Sequence, residues 1–504
     1  HREGASLYID SSEIDRDEVI EADVCIVGGG AVGITLAREL SDTQLEVVLL
    51  ESGSLEFDQA TQDLYAGVES GTALGPDTEY LTETRNRYYG GTTNTWNGWC
   101  RPLDAEDLQV REWVADSGWP IAQEEMQAFH RRAARIVQIT PFDEAEGNTP
   151  TEILPIGPEA QIENSFLHCS APTRFAERFK KAMRQSRNSR VLFNSNAVEI
   201  LTNDEASRVE GIAVASLAGN RFRVHARVYV LATGGIENAR ILLASNRVQK
   251  EGLGNGHDLV GRYFMDHPLL RVGFLVMPGR AASMRAYSTT GPQKRRFRGI
   301  MRVRPEVQRE HQLLNALAIV KPRKPEFLSD IALEVDNMAG EILSFTDQEL
   351  AAGATYFGTL GIASEQVPNR DSRVRLADER DELGMPRTKL EWQLTEQDAR
   401  SVRLTSEIMV RSLAASFGGR GKLLVTETEP WPRAYTSFHH MGSTRMDPNP
   451  SKGVVDVDCK VHGLSNLWLG GSSVYPTVGC SNPTFEIVTL TLRLGDHLKG
   501  VLAA

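Results

Sequence analysis

The stretch Ala22-Asp23-Val24-Cys25-Ile26-Val27-Gly28-Gly29-Gly30-Ala31-Val32-Gly33 decides how the chain begins to fold. Ala22 to Val27 is short, apolar and β-branched, as a buried strand requires, while Ile34 to Leu40 beyond the glycines has helical spacing. The glycines between them follow the pattern G-x-G-x-x-G. Gly28 permits the tight turn, Gly30 lets a pyrophosphate approach the backbone, and Gly33 lets helix and strand pack closely. The N-terminus of the helix then attracts phosphate charge. Glu46 to Leu50 reads as a second strand, and Glu51 at its end stands where an acid accepts hydrogen bonds from an adenosine ribose. A glycine turn by itself can serve packing alone. Framed by two strands and closed by an acid, it predicts an α/β, Rossmann-like dinucleotide-binding domain.

A second strand-to-helix crossing follows at Val230-Leu231-Ala232-Thr233-Gly234-Gly235-Ile236-Glu237-Asn238-Ala239-Arg240. Two crossings beneath one dinucleotide suit a flavin, whose adenine, pyrophosphate and ring extend along several strand ends. Between the crossings, Glu124 to Gln138 and Ala176 to Arg187 read as helices. Val191 to Phe193 and Arg223 to Leu231 read as strands separated by a polar turn at Gly219-Asn220. Glu83 to Trp99 is too rich in Gly, Thr and Asn for a regular element.

From Arg271 to Thr426 the pattern changes. Leu313 to Val320 and Thr355 to Ile362 alternate, as in an antiparallel sheet with one solvated face; Asp347 to Ala352 and Glu396 to Ala415 read as helices. The expected division puts 19–110, 160–270 and 435–504 in the cofactor domain, and 111–159 and 271–434 in a substrate domain laid over it. Lys294-Arg295-Arg296-Phe297-Arg298 is either a solvated charged face or, with Gly291 and Pro292 as its turn, a lid.

At 504 residues, 41% hydrophobic and 24% charged, the chain can bury a large core in about two or three domains. A formal net charge of -12 argues against nucleic acid and anionic membranes as partners, and favours neutral or cationic small molecules. There is no run of 18 apolar residues, and His1-Arg2-Glu3-Gly4 lacks a signal-peptide core. Five widely spaced cysteines fit reduced thiols and a cytoplasmic location, and their spacing predicts no metal site.

Two phrases near the C-terminus carry the chemistry: His439-His440-Met441-Gly442-Ser443-Thr444-Arg445-Met446, and Gly479-Cys480-Ser481-Asn482-Pro483-Thr484-Phe485-Glu486. If the fold joins them, an imidazole and a carboxamide face one volume. That arrangement suits removal of a proton from an alcohol whose carbon gives up hydride, because positive charge builds on carbon unless the proton leaves. Pro483 is expected at a first helical position, where it loses no hydrogen bond and the helix amides face developing negative charge. Asn482-Pro483 also reads simply as a turn and helix start.

The glycine-rich start, the GGTTNTW loop, VLATGGIENARILL, GRYFMDHP at 261–268, EQVPNRDSRV at 365–374 and the C-terminal pair together resemble the glucose-methanol-choline (GMC) oxidoreductase family. Gly470-Gly471 and Ser481-Asn482-Pro483-Thr484 are most similar to pyranose 2-oxidases and to bacterial relatives that oxidise sugars and glycosides at C3; many other members have a second histidine where Asn482 stands. The resemblance implies an architecture like that of p-hydroxybenzoate hydroxylase: a Rossmann-like FAD domain and a discontinuous α+β substrate domain on a large antiparallel sheet. It also implies FAD, held by Gly28, Gly30, Gly33, Glu51, Gly90, Gly91, Thr92, Asn94, Val198, Ala232, Gly234, Gly471, Asn482 and Thr484. In the family phrase H-x-x-G, Gly442 selects His439 over His440 as the base, with hydride passing to flavin N5 and Asn482 as partner. Fungal pyranose 2-oxidases carry a flavin-linked histidine where Thr95 stands, so non-covalent FAD is expected. The implied substrate is a sugar or glycoside, oxidised at C3 rather than C2, with oxygen or a quinone-type acceptor taking the electrons. A non-sugar alcohol is the alternative substrate, and a non-enzymatic flavin-binding role is the alternative class.

Overall fold

The computed structural model describes residues 7–41, 43–72, 79–145, 153–278, 286–287, 297–323, 355–417, 419–427, 430–431 and 435–503. The opening strand extends over Val19–Val27 and pairs in parallel with Val47–Leu50 on one side and Arg221–Leu231 on the other. Its residues alternate between two cores: Val24 and Ile26 face one, Cys25 and Val27 the other. Burial on both faces is why the run reads as continuously apolar. The sheet has eight strands, in the order Tyr8–Asp10, Ser189–Phe193, Val47–Leu50, Val19–Val27, Arg221–Leu231, Val209–Ala215 and Asn196–Thr202, with Leu467–Leu469 also pairing to Arg221–Leu231. On one of its faces the helix Ala31–Leu40 packs against the C-terminal helix Thr484–Ala503, which in turn packs against Gln123–Val137.

The turn at Gly219-Asn220 is present, with the Gly219 N–H donating to Ser216 O at 3.0 Å, but it joins Val209–Ala215 to Arg221–Leu231. Asn196–Thr202 and Val209–Ala215 form an antiparallel ribbon that the sequence reading lacked. Glu199 and Thr202 stay partly exposed, so this edge pattern does not stand out against the loops around it.

A second eight-stranded sheet, antiparallel among its described pairs, runs Arg420–Leu423, Pro268–Pro278, Thr355–Ser364, Ala316–Arg323, Phe297–Val303, Ile162–Cys169 and Trp99–Cys100, with Tyr435–Thr436 also pairing to Pro268–Pro278. The expected alternation is there, but its second face is not simply solvated. Leu270, Val272, Ala318, Val320, Leu360 and Ile362 pack with the helix Glu396–Phe417 on one face, while Arg271, Leu317, Ile319, Thr359 and Gly361 line a cavity on the other. Three strands cross the expected domain boundaries. Trp99–Cys100, Ile162–Cys169 and Tyr435–Thr436 fall within the segments expected to hold the cofactor, yet they belong to this second sheet. A small third sheet joins Gly67–Gly71 to Arg373–Arg380 and Pro386–Trp392. The helix expected at 347–352, Gly291-Pro292 and Lys294 to Arg296 lie outside the described residues. Arg298, from the same charge run, is buried with its guanidinium over the Trp99 ring, so it is no part of a solvated face.

Candidate active site

A cavity of about 820 Å³ separates the two large sheets, a volume in the range of ligand sites. At one end lie the residues that follow the carboxyl ends of three parallel strands: Gly28 after Val27, Glu51 after Leu50 and Ala232 after Leu231. A Cβ on Gly33 would stand 1.9 Å from Gly28 O, so helix and strand meet there with no room for a side chain. A Cβ on Gly30 would meet nothing within 4 Å: the helix N-terminus opens onto empty space. The first N–H groups of that helix have no intrahelical acceptor and face the opening. The loop at Gly90-Gly91 folds over the turn, with the Gly90 N–H donating to Gly29 O at 2.8 Å and Gly91 set against the Gly30 backbone.

Glu51 is buried, and both oxygens accept backbone bonds, Oε2 from Gly29 N–H at 2.9 Å and Oε1 from Gly53 N–H at 2.8 Å. Burial raises its pKa against those bonds. Close by, Glu237 receives Arg85, Arg87 and Arg240 at 2.9, 3.3 and 3.2 Å. Burial pushes its carboxyl up, but Arg240, Arg85 and Arg87 outweigh that and hold it down at about 2. Nothing in the spacing ties positions 85 and 87 to 237, so this cluster is invisible in sequence. Open backbone at Gly30 and Gly234, unpaired helix amides and a buried acid at a strand end fit the pyrophosphate and ribose of a dinucleotide.

Of the sequence-predicted cofactor residues, Gly28, Gly30, Glu51, Gly91, Thr92, Ala232, Gly234, Gly471, Asn482 and Thr484 line the cavity. Gly33, Gly90, Asn94 and Val198 do not. Gly33 and Gly90 lie behind the turn, where their small size permits the close approach. Asn94 turns back to donate to Tyr89 O at 2.9 Å. Val198 packs beside Leu64, Ala215 and Leu383, and its neighbours Ser195 and Ala197 reach the wall instead.

The other end is made of side chains. Asn482 Nδ2 lies 3.1 Å from His439 Nε2, so the fold joins the two C-terminal phrases. His439 Nδ1 lies 2.9 Å from Nδ1 of His267, whose Nε2 is 2.9 Å from Gly479 O. Asp266 Oδ1 accepts the backbone N–H groups of His439 and His267 at 2.9 and 2.7 Å, and its Oδ2 accepts the Tyr80 hydroxyl at 2.7 Å. Asp266 and His267 stand in the GRYFMDHP phrase, but only the fold shows that they support His439. The His440 ring turns to Thr84 Oγ1 at 2.9 Å and packs on Tyr80.

Burial holds all three imidazoles in the neutral form: His439 well below the ordinary range, with His267 and His440 adding to the effect, His267 at about 4 and His440 at about 3. His439 keeps part of its surface open to the cavity. The carbonyl of Pro483 accepts the N–H of Ile487 at 2.8 Å and Thr484 is the first helical residue, so Pro483 caps the C-terminal helix, one position before the expected one. Thr95 reaches the cavity and accepts from Asn86 Nδ2 at 2.8 Å.

A family model described as FAD dependent oxidoreductase matches residues 23–249, and one described as GMC oxidoreductase matches 368–491. The dinucleotide cradle and these matches define the chain as an FAD-dependent oxidoreductase. Over residues 368–491 it is similar to the GMC oxidoreductase family.

The chain is 23% identical to the fructose dehydrogenase large subunit of Gluconobacter japonicus, over 96% of this chain and 98% of that protein. It is 26% identical to the C-glycoside 3-oxidase of Microbacterium trichothecenolyticum over 32% of this chain and 31% of that one. The crystal structure of pyridoxine 4-oxidase from Mesorbium loti superposes with a TM-score of 0.57 at 18% identity, covering 95% of this chain and 99% of that one, and shares the fold. Among the described residues, no helix is long and apolar enough to cross a membrane, and no group of three His, Cys, Asp or Glu could hold a metal.

Proposed function

We propose that this protein oxidises a secondary ring hydroxyl of a sugar or glycoside, at C3 in preference to C2, to the keto-sugar. The observation that carries this reading is the 3.1 Å contact between His439 and Asn482 at the far end of the cavity from the phosphate cradle. His439, neutral because it is buried, takes the hydroxyl proton, and Asn482 orients the same hydroxyl through its amide. FAD, when bound, supplies the acceptor for the hydride that leaves the same carbon. The first-turn amides of the C-terminal helix stabilise negative charge at that end of the cavity. Phe438, half-exposed in the wall beside His439, offers an apolar face to a pyranose ring.

In this proposal FAD is held non-covalently, because Thr95 stands where fungal pyranose oxidases have their flavin-linked histidine. Acid precipitation is expected to leave the yellow chromophore in the supernatant, and colour in the pellet would overturn this point. Oxygen, giving hydrogen peroxide, or a quinone-type compound takes the electrons. The five cysteines, none in a disulfide, support a cytoplasmic location. In this proposal the cofactor segments are 19–110, 160–270 and 435–504 and the substrate segments 111–159 and 271–434; the pairing of Trp99–Cys100, Ile162–Cys169 and Tyr435–Thr436 favours counting those strands with the substrate segments.

The resemblance of Ser481 to Thr484 to sugar-oxidising relatives, and the similarity to the C-glycoside 3-oxidase of Microbacterium trichothecenolyticum, favour a glycoside. The test is anaerobic: the yellow holoprotein is mixed with glucose, with O- and C-linked aromatic glycosides, and with non-sugar alcohols. Bleaching by a glycoside whose product is the 3-keto compound is expected. Bleaching by non-sugar alcohols alone would establish the second reading, a GMC enzyme for another alcohol.

A further inference from the structure

A neutral imidazole has one nitrogen that donates and one that accepts, and which is which follows from its neighbours. The chain of contacts at His439 starts from a group whose role is fixed. Gly479 O can only accept, so His267 Nε2, 2.9 Å away, carries a proton. His267 is fully enclosed and neutral, so its Nδ1 has only a lone pair to offer. His439 Nδ1 faces that lone pair at 2.9 Å, with the rings nearly perpendicular at 86°. Two bare nitrogens at that distance repel, so the proton of His439 lies on Nδ1. Its Nε2 is then unprotonated, and Asn482 Nδ2 at 3.1 Å donates to it.

We propose that His267 is a positioning residue that fixes His439 in the tautomer with Nδ1 protonated and Nε2 unprotonated at the cavity, where a substrate hydroxyl can take the place of the Asn482 amide. Asp266 makes the arrangement rigid, because a single oxygen receives the backbone N–H groups of both histidines. The consequence for the proton is specific. When a substrate O–H bond breaks, its proton forms a bond to His439 Nε2, and the resulting imidazolium keeps its Nδ1–H on His267 Nδ1. Without His267, His439 would divide between two tautomers, only one of which can take a proton at Nε2.

This inference rests on His439 being the base, but its test does not use turnover. The holoprotein is labelled with ¹⁵N-histidine, and the His439 signals are assigned by their loss in His439→Ala. Nε2 is expected at the shift of an unprotonated ring nitrogen and Nδ1 at that of a protonated one. The reverse pattern, or an average of the two in the wild type, overturns the proposal. Two variants separate positioning from mere support of the Gly479 loop. His267→Asn places an amide oxygen where Nδ1 was and gives up the Gly479 contact. His267→Gln reaches Gly479 O and gives up the acceptor. The wild-type His439 pattern is expected in His267→Asn and an averaged pattern in His267→Gln, with bound-FAD absorbance retained in both. The opposite order would make His267 a strut. If His439→Ala is reduced by a bleaching substrate at the wild-type rate, the base assignment fails while the tautomer result stands.

Discussion

The two ends of the cavity are built of different materials. At the phosphate end the groups facing the opening are mostly backbone: the turn at Gly28 to Gly30, the helix amides behind it and the Gly91 loop above. At the other end they are side chains held by side chains, with Asn482, His439 and His267 in series and Asp266 beneath. A backbone site fails when a side chain is added, whereas a side-chain site fails when one is removed or changes protonation. His439→Ala should therefore have the largest effect on chemistry, slowing reduction of bound FAD by about 10²–10⁴-fold. FAD content should not change, since the cradle lies at the other end. Stopped-flow reduction and the protein-to-flavin absorbance ratio check both halves, and loss of FAD with the histidine would mean that the two ends are not independent.

Glu237 stands between the two materials, a side chain that holds the backbone end in shape. Removing it in Glu237→Ala leaves Arg85, Arg87 and Arg240 buried around no counter-charge, although Arg240 keeps Asp381 at 2.6 Å. The expected loss is about 3–5 kcal/mol of stability, read by urea denaturation. An unchanged midpoint would show that the cluster is solvated in a way its burial does not indicate.

Acid should act on the side-chain end. The folded pKa values of His267, about 4, and His440, about 3, lie below the ordinary 6.5, so the unfolded chain binds more protons through that interval. Their contribution to stability is complete above pH 6.5 and is lost as the pH falls through that window, by about 3 kcal/mol for His267 alone. Asp107, raised to about 7 by burial and by Asp104, and Asp266, raised to about 6 by burial, oppose this, because the folded protein holds their protons. Between pH 4 and 6.5 acid should lower the denaturation midpoint less, or raise it more, in His440→Gln than in the wild type, because the variant lacks one group that the unfolded chain protonates. An equal slope in the two proteins would remove His440 from the account.

The same contrast explains what could be read from the sequence. The phosphate end follows from local rules: strand, glycine turn and helix lie within one run, so Gly28, Gly30 and Glu51 could be placed from spacing. The pairing of His439 with Asn482 came from a phrase shared with a family, because no local rule joins positions 439 and 482. His267, Asp266 and Tyr80 stood in the sequence without an assignment, since their role depends on contacts across more than a hundred residues. Val198 packs away from the cavity that Ser195 and Ala197 line, a difference spacing does not reveal, because successive strand side chains point to opposite faces.

The smallest effects should come from two substitutions in the same turn. In Gly33→Ala the new methyl lies 1.9 Å from Gly28 O, and backbone must move to admit it. Overpacking of this kind costs about 1–3 kcal/mol, and the turn that carries the phosphate site shifts with it, so stability and FAD binding fall together. In Gly30→Ala the methyl meets no protein atom within 4 Å and φ is -86°, which alanine adopts freely. Apoprotein stability should change by less than about 0.5 kcal/mol. FAD affinity should still fall, because the methyl occupies the space where a pyrophosphate meets the helix amides. Flavin fluorescence titration of the two apoproteins, set beside their denaturation midpoints, separates packing from binding. If Gly30→Ala binds FAD as the wild type does, the pyrophosphate does not lie against this turn.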